Sequence, residues 1–146
     1  MKKLSIVSCL LYCCMVLNCS CNHNTHKNET DTVYRPGLGE FMMQLQYHQE
    51  QMGLAIKDSN YARVDYETSE MDEVAELIKQ YHNEHEKLVM PFTKQYATYV
   101  EMPIAAIKKQ CAEKNLPQLK NNYTIMISSC NSCHTANKME FIKIKE

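Results

Sequence analysis

Cys130-Asn131-Ser132-Cys133-His134 is a C-x-x-C-H run, and only twelve residues follow His134. This spacing is the attachment signature of c-type haem. Two thiols three positions apart reach two vinyl groups of one porphyrin, and the adjacent imidazole can turn onto the iron. The place of the run constrains the fold more than its presence does. No long downstream segment remains to supply a second axial ligand. An earlier element must therefore be folded back over the last one.

Other uses of the run fit less well. A structural zinc site takes four ligands, commonly from two such pairs, and the chain has no second C-x-x-C. A thioredoxin-like pair belongs in a βαβ setting, and no alternating strand run surrounds this one.

At the other end, Met1-Lys2-Lys3 precedes an apolar run from Leu4 to Leu17. A basic start and an apolar stretch of that length predict a secretory signal over residues 1–18, too short for a transmembrane helix. Five of the eight cysteines (Cys9, Cys13, Cys14, Cys19, Cys21) lie in or just after it, so they do not count toward a disulfide framework. Val16-Leu17-Asn18-Cys19 approximates a lipoprotein box, with Cys21 as the alternative acceptor; Cys19 is the expected lipidation site. An acylated Cys19 would hold a domain on a membrane surface without spanning it. The expectation is an exported protein, in the periplasm or anchored as an outer-membrane lipoprotein. Attachment of haem to C-x-x-C-H takes place outside the cytoplasm, so leader and motif agree.

Residues 19–36 are polar and read as a flexible tether, because they carry too little apolar surface to order themselves. His23 and His26 lie on it and suggest no site. Losing Lys2 and Lys3 with the leader takes the formal charge from −1 to −3. No basic tract marks a nucleic-acid surface. Residues 37–146 are enough for one domain.

That domain reads as all-α. Leu38, Phe41, Met42, Leu45, Met52 and Ile56 form one stripe at three- and four-residue steps, predicting a helix over 38–57. Asp58-Ser59-Asn60 breaks it and supplies the next N-cap. A second helix is expected from Tyr61 to about Leu88, with Val64, Met71, Val74, Ala75, Ile78, Tyr81 and His85 on one face. Pro91 stops it. A third either begins close to Pro103, with that residue in its first turn, or begins near Tyr96 and kinks. Its inner stripe is Ile104, Ile107 and Cys111. A fourth is expected from Pro117 to about Asn137, with Leu119, Tyr123, Met126, Cys130 and Cys133 converging. Phe141-Ile142-Lys143-Ile144 alternates and reads as a short extended segment against the helices. Four such helices with short loops pack most simply as an antiparallel four-helix bundle, with the covalently attached haem at its C-terminal helix.

Four helices with Cys130, Cys133 and His134 near the end of the last resemble the class II cytochromes c. These are cytochrome c′ and its low-spin, methionine-ligated relatives. The resemblance covers about Leu38 to Asn137. It implies His134 as the proximal ligand and helix one on the distal side. Low-spin members place a Met there with a His six residues later, and Met42 and His48 match that spacing. The family's Arg early in helix one, which holds a haem propionate, is absent; Arg35 is the substitute. The resemblance also adds a homodimer through the first two helices as an open possibility. The ending Phe141-Ile142-Lys143-Ile144 is similar to small exported cytochrome-like lipoproteins.

The expected haem-contacting residues are therefore Cys130, Cys133, His134 and Met42; Tyr123, three turns back, is a candidate for the haem edge, with a plain core tyrosine as the stronger reading. Met43, about 100° around the helix from Met42, and His48 are alternatives for the iron. A solvated face with one histidine turned inward is the expectation for His82 and His85, and Cys111 reads as a small buried hydrophobe. This pattern implies a one-electron carrier working with redox partner proteins, not an enzyme. A peroxidase would need a distal His or Arg, which only His48 could supply. The rival expectation is a five-coordinate haem protein binding nitric oxide or carbon monoxide.

Overall fold

Three helices end on a left-handed residue that is not glycine, and these ends shape the molecule. The computed structural model describes residues 34–145; the expected leader, Cys19 and most of the tether lie outside the described residues. Among the described residues the protein is all-α. It has helices α1 (Leu38–Lys57), α2 (Tyr61–His82), α3 (Phe92–Tyr99), α4 (Glu101–Ala112) and α5 (Leu116–Ala136). Among the described residues no helix is long and apolar enough to cross a membrane.

α1 ends at Ser59, with φ of 54°. There the N–H groups of Ser59 and Asn60 turn back onto the carbonyls of Ile56 and Ala55, at 3.1 and 2.8 Å. α4 ends the same way at Lys114 (φ 52°) and α5 at Lys138 (φ 61°). Each end pairs carbonyls that a helix terminus would otherwise orphan. Asn60 and Asn115 then start the next helix: their side-chain oxygens accept from the N–H of Arg63 (3.1 Å) and of Gln118 (3.3 Å). One Asn closes one helix and caps another.

α2 stops at His82, six residues short of the sequence expectation. Asn83 explains this. Its carbonyl accepts from Phe92 N–H at 2.8 Å, and its side-chain oxygen accepts from Thr93 N–H at 2.9 Å. Those bonds close a loop over 83–92 in place of further helical turns. The expected third helix is two helices broken at Val100 (φ −116°). Pro103 causes the break: its ring clashes with the carbonyl of Tyr99 four residues back, and it lacks an N–H. It sits instead in the first turn of α4.

α1 packs along α2, α4 along α5, α2 also meets α4, and α1 also meets α5. At one end the two Asn corners meet, where Cys111 Sγ donates to the Tyr61 carbonyl at 3.0 Å. At the other, His82 Nε2 lies 2.8 Å from the Pro36 carbonyl, and Asn137 accepts from Val89 N–H at 2.9 Å. Two apolar clusters fill the interior. One, around Met52, Ile107, Leu119 and Met126, lies toward the Asn corners. The other, around Phe41, Ile78, Phe92 and Tyr96, lies toward the Pro36 end.

Candidate functional site

Cys130, Cys133 and His134 occupy the last two turns of α5, at steps of three and four residues, so one helix face carries all three. That face forms part of the wall of a cavity of about 520 Å³. Both apolar clusters contribute to it, Phe92 and Tyr96 from one and Met71 and Ile104 from the other. α1 adds Leu38, Met42, Met43 and Leu45. Its size and apolar lining are those of a small-molecule or cofactor site.

Both thiols are free, and neither is ionised at neutral pH. Burial pushes Cys130 and Cys133 up to about 11; for Cys133 a hydrogen bond from Asn137 partly opposes this. Cys133 Sγ donates to Gln95 Oε1 at 3.2 Å. Burial also holds the His134 imidazole below its ordinary range, against the pull of the Ile142 backbone, while Lys143 adds to the lowering. The ring is thus neutral near pH 7, the form that ligates metals. Its Nδ1 is buried with no hydrogen-bond partner among the described residues.

Of the expected residues, the cavity gathers Cys130, Cys133, His134, Met42 and Met43. Met42 is half-buried on the apolar stripe, whereas Met43 is 64 % exposed. His48 is turned elsewhere: its Nδ1 lies 2.8 Å from Oε2 of Glu67, a carboxylate 1 % exposed that also pairs with Arg63. Tyr123 lies in the core between α1 and α5, outside the cavity. Its hydroxyl donates to the Gln49 carbonyl at 3.1 Å and accepts from Gln49 Nε2 at 2.5 Å. Gly53 makes room for it, since a Cβ there would lie 2.2 Å from that hydroxyl. Arg35 stacks over the Tyr81 ring at 5.5 Å and does not line the cavity.

Gln49, Gln95 and His85 also line the cavity, and the sequence does not single them out as site residues. Gln49 is 2 % exposed, and its Oε1 has no partner among the described residues. Its signal was a polar side chain two turns along the Met42 stripe. Gln95 gave no pattern, because the short helix that carries it was not resolved from the next. His85, expected on a helix face, reaches the cavity from the loop after α2.

A haem fits the donor set: two free thiols, a neutral imidazole with an orphaned Nδ1, and an α1 wall bearing a thioether. Comparison finds no protein-family model, no curated protein and no solved structure that matches this chain.

Proposed function

We propose that this protein is an exported c-type cytochrome of the class II kind that carries one electron. Cys130 and Cys133 hold the haem covalently, His134 is the proximal ligand and Met42 the distal one. In this reading α3 and α4 count as one broken helix, and the domain is an antiparallel four-helix bundle. The observation that carries the proposal is the convergence of Cys130, Cys133 and His134 with Met42 on one apolar cavity.

When bound, the haem supplies the Fe(III)/Fe(II) couple. The chain's residues do the rest. His134 offers a neutral imidazole. The thioether of Met42 favours reduced iron over oxidised. Leu38, Leu45, Phe92 and Val100 exclude water, which disfavours the more highly charged state. No group in the cavity needs to move a proton. An acyl chain on Cys19 would keep the carrier at a membrane surface, where redox partner proteins could reach it.

The test is the protein secreted from a host competent in cytochrome maturation. The expected product is coloured, gains the mass of one haem and has no alkylatable thiol at Cys130 or Cys133. Its spectrum should be low-spin and six-coordinate. A high-spin, five-coordinate spectrum would move the function to capture of nitric oxide or carbon monoxide. A colourless product with both thiols free removes the cytochrome altogether.

A further inference from the structure

The chain does not stop at the C-x-x-C-H helix but folds back along it. Met139 N–H bonds the His134 carbonyl at 2.8 Å, and Ile142 N–H bonds the Met139 carbonyl at 2.9 Å. Beyond that, Asn131 takes hold. Its Nδ2 donates to the Ile144 carbonyl at 3.0 Å, and its Oδ1 accepts from the Ile144 N–H at 2.9 Å. The side-chain amide thus satisfies both backbone groups of one residue, as a neighbouring β-strand would. Gln49 Nε2 reaches the next carbonyl, that of Lys145, at 3.4 Å. Ser132, the other variable position of the run, is exposed and bonds only the Ser128 carbonyl of its own helix.

We infer that Asn131 is a positioning residue: by clasping Ile144 it holds residues 139–145 as a strap that forms one wall of the cavity beside His134. Met139, Phe141, Ile142 and Ile144 all line that cavity, and Ile144 packs on the apolar core. Phe141 is 80 % exposed, so packing alone does not pin the middle of the strap. The clasp at its far end does. The strap also borders the imidazole, since Met139 N–H bonds the His134 carbonyl and His134 and Ile142 line the same cavity.

A metal-ligating histidine nearly always donates its second ring N–H to a carbonyl, a carboxylate or water. Nδ1 of His134 has no such partner among the described residues, and Ile142 of the strap lines the same cavity as the ring. Asn131 therefore controls whether the ring N–H stays shielded. The clasp itself needs no cofactor; its consequence for a ligated His134 rests on the function proposed above.

Asn131→Leu keeps the shape of the side chain and removes both hydrogen bonds, and Asn131→Gln restores both groups on a longer arm. The full mature chain is used throughout. In the Leu variant, hydrogen exchange at Ile144 N–H should quicken by about tenfold or more, the loss expected for one or two such bonds. The His134 ring N–H of the reduced haem-loaded protein should exchange faster in parallel. Asn131→Gln should recover part of both. A chain ending at Phe141 leaves the run intact and should reproduce the ring N–H effect even if the Leu variant folds poorly.

Unchanged exchange at Ile144 overturns the clasp. Faster exchange there with an unaltered His134 ring N–H overturns the positioning role. If the protein is colourless, the function proposed above fails but the strap is still tested. Modification of His134 by diethyl pyrocarbonate should then be faster in the Leu variant, and equal rates overturn the inference.

Discussion

Gln95 and Asn137 grip each other through both halves of their side-chain amides, joining α3 to the C-terminus of α5. Gln95 Nε2 donates to Asn137 Oδ1 at 3.1 Å, and Asn137 Nδ2 donates back to Gln95 Oε1. Every remaining valence is used. Asn137 also accepts from Val89 N–H at 2.9 Å and donates to the Cys133 carbonyl at 2.8 Å. Gln95 also donates to the Met90 carbonyl at 2.8 Å and accepts from Cys133 Sγ. One buried polar pair therefore pins the loop before α3 and the second thiol of the run to the same point.

Asn137→Ala should be severely destabilising for this reason. It orphans the Val89 N–H and one hydrogen-bonding site on each half of the buried Gln95 amide, which keeps only the Met90 carbonyl and the Cys133 thiol as partners. Each such orphan costs about 1–3 kcal/mol, so a loss of about 2–4 kcal/mol is expected from urea unfolding. A midpoint shifted by less than about 0.5 kcal/mol equivalent would mean that water replaces the lost amide.

The free thiols make stability depend on pH in a way that haem attachment should abolish. Cys130 and Cys133 stand at about 11 in the folded chain, above an ordinary thiol near 8.5. A group raised on folding contributes stability that is complete below its unfolded pKa and is lost as pH rises through its folded one. The haem-free protein should therefore lose stability between about pH 8.5 and pH 11. Thioethers do not titrate, so the haem-bearing protein should lose less over the same range. Tyr96 and Cys111 are also raised, chiefly by burial, but they act alike in both forms. Equal alkaline slopes in thermal melts of the two forms would contradict the burial of these sulfurs.

The helical order of the chain was readable because apolar stripes and capping residues act locally. α1 begins at Leu38 and ends at Lys57 as its stripe and the Asp58-Ser59-Asn60 break require. What could not be read depends on contacts distant in sequence. The end of α2 is set by Asn83 bonding to Phe92 and Thr93 across a loop, and no local signal announces that. Likewise, spacing put His48 and Met42 together as alternatives for one iron, but Glu67 on α2 draws His48 away. Tyr123 takes the core place that its face of α5 suggests, between Gly53 and Gln49, and does not line the cavity. The site was legible where one helix builds it and obscure where several do.

The left-handed helix ends offer a route to higher stability. Ser59, Lys114 and Lys138 hold φ of 54°, 52° and 61° without the freedom of glycine. An L-residue there is disfavoured by about 1–2 kcal/mol, offset by the greater entropy that glycine loses on folding. Ser59→Gly and Lys114→Gly should each raise stability by about 0.5–1 kcal/mol. Lys138→Gly should do the same without disturbing the strap, because its bond to the Thr135 carbonyl comes from backbone. Lower melting temperatures in all three would show that these side chains contribute contacts that outweigh the strain.

Gly53→Ala should act in the opposite direction. The new methyl would meet the Tyr123 hydroxyl at 2.2 Å, and that hydroxyl cannot retreat without leaving both bonds to Gln49. Overpacking of this kind costs about 1–3 kcal/mol. Tyr123→Phe in the Gly53→Ala background should recover part of the loss, because the clashing oxygen is gone. If the double variant is no more stable than the single one, the crowding at that hydroxyl is not what matters.

Met42→Ala tests the distal ligand proposed above. Met42 lines the cavity, is half-buried and packs on the cluster around Phe41 and Ile78, so truncation removes the thioether from the cavity wall. The iron should pass from six-coordinate low-spin to five-coordinate high-spin, and carbon monoxide should bind where it was excluded. The reduction potential should fall, because a thioether favours reduced iron. Stability should change by less than for a buried Met such as Met52, whose truncation to Ala costs about 2–5 kcal/mol. An unchanged spectrum would transfer the role to another cavity residue. Met43 and His85 both border the cavity, whereas His48 would first have to leave Glu67. Met43→Ala and His85→Ala in the same background separate those two, since only loss of the true ligand opens the iron.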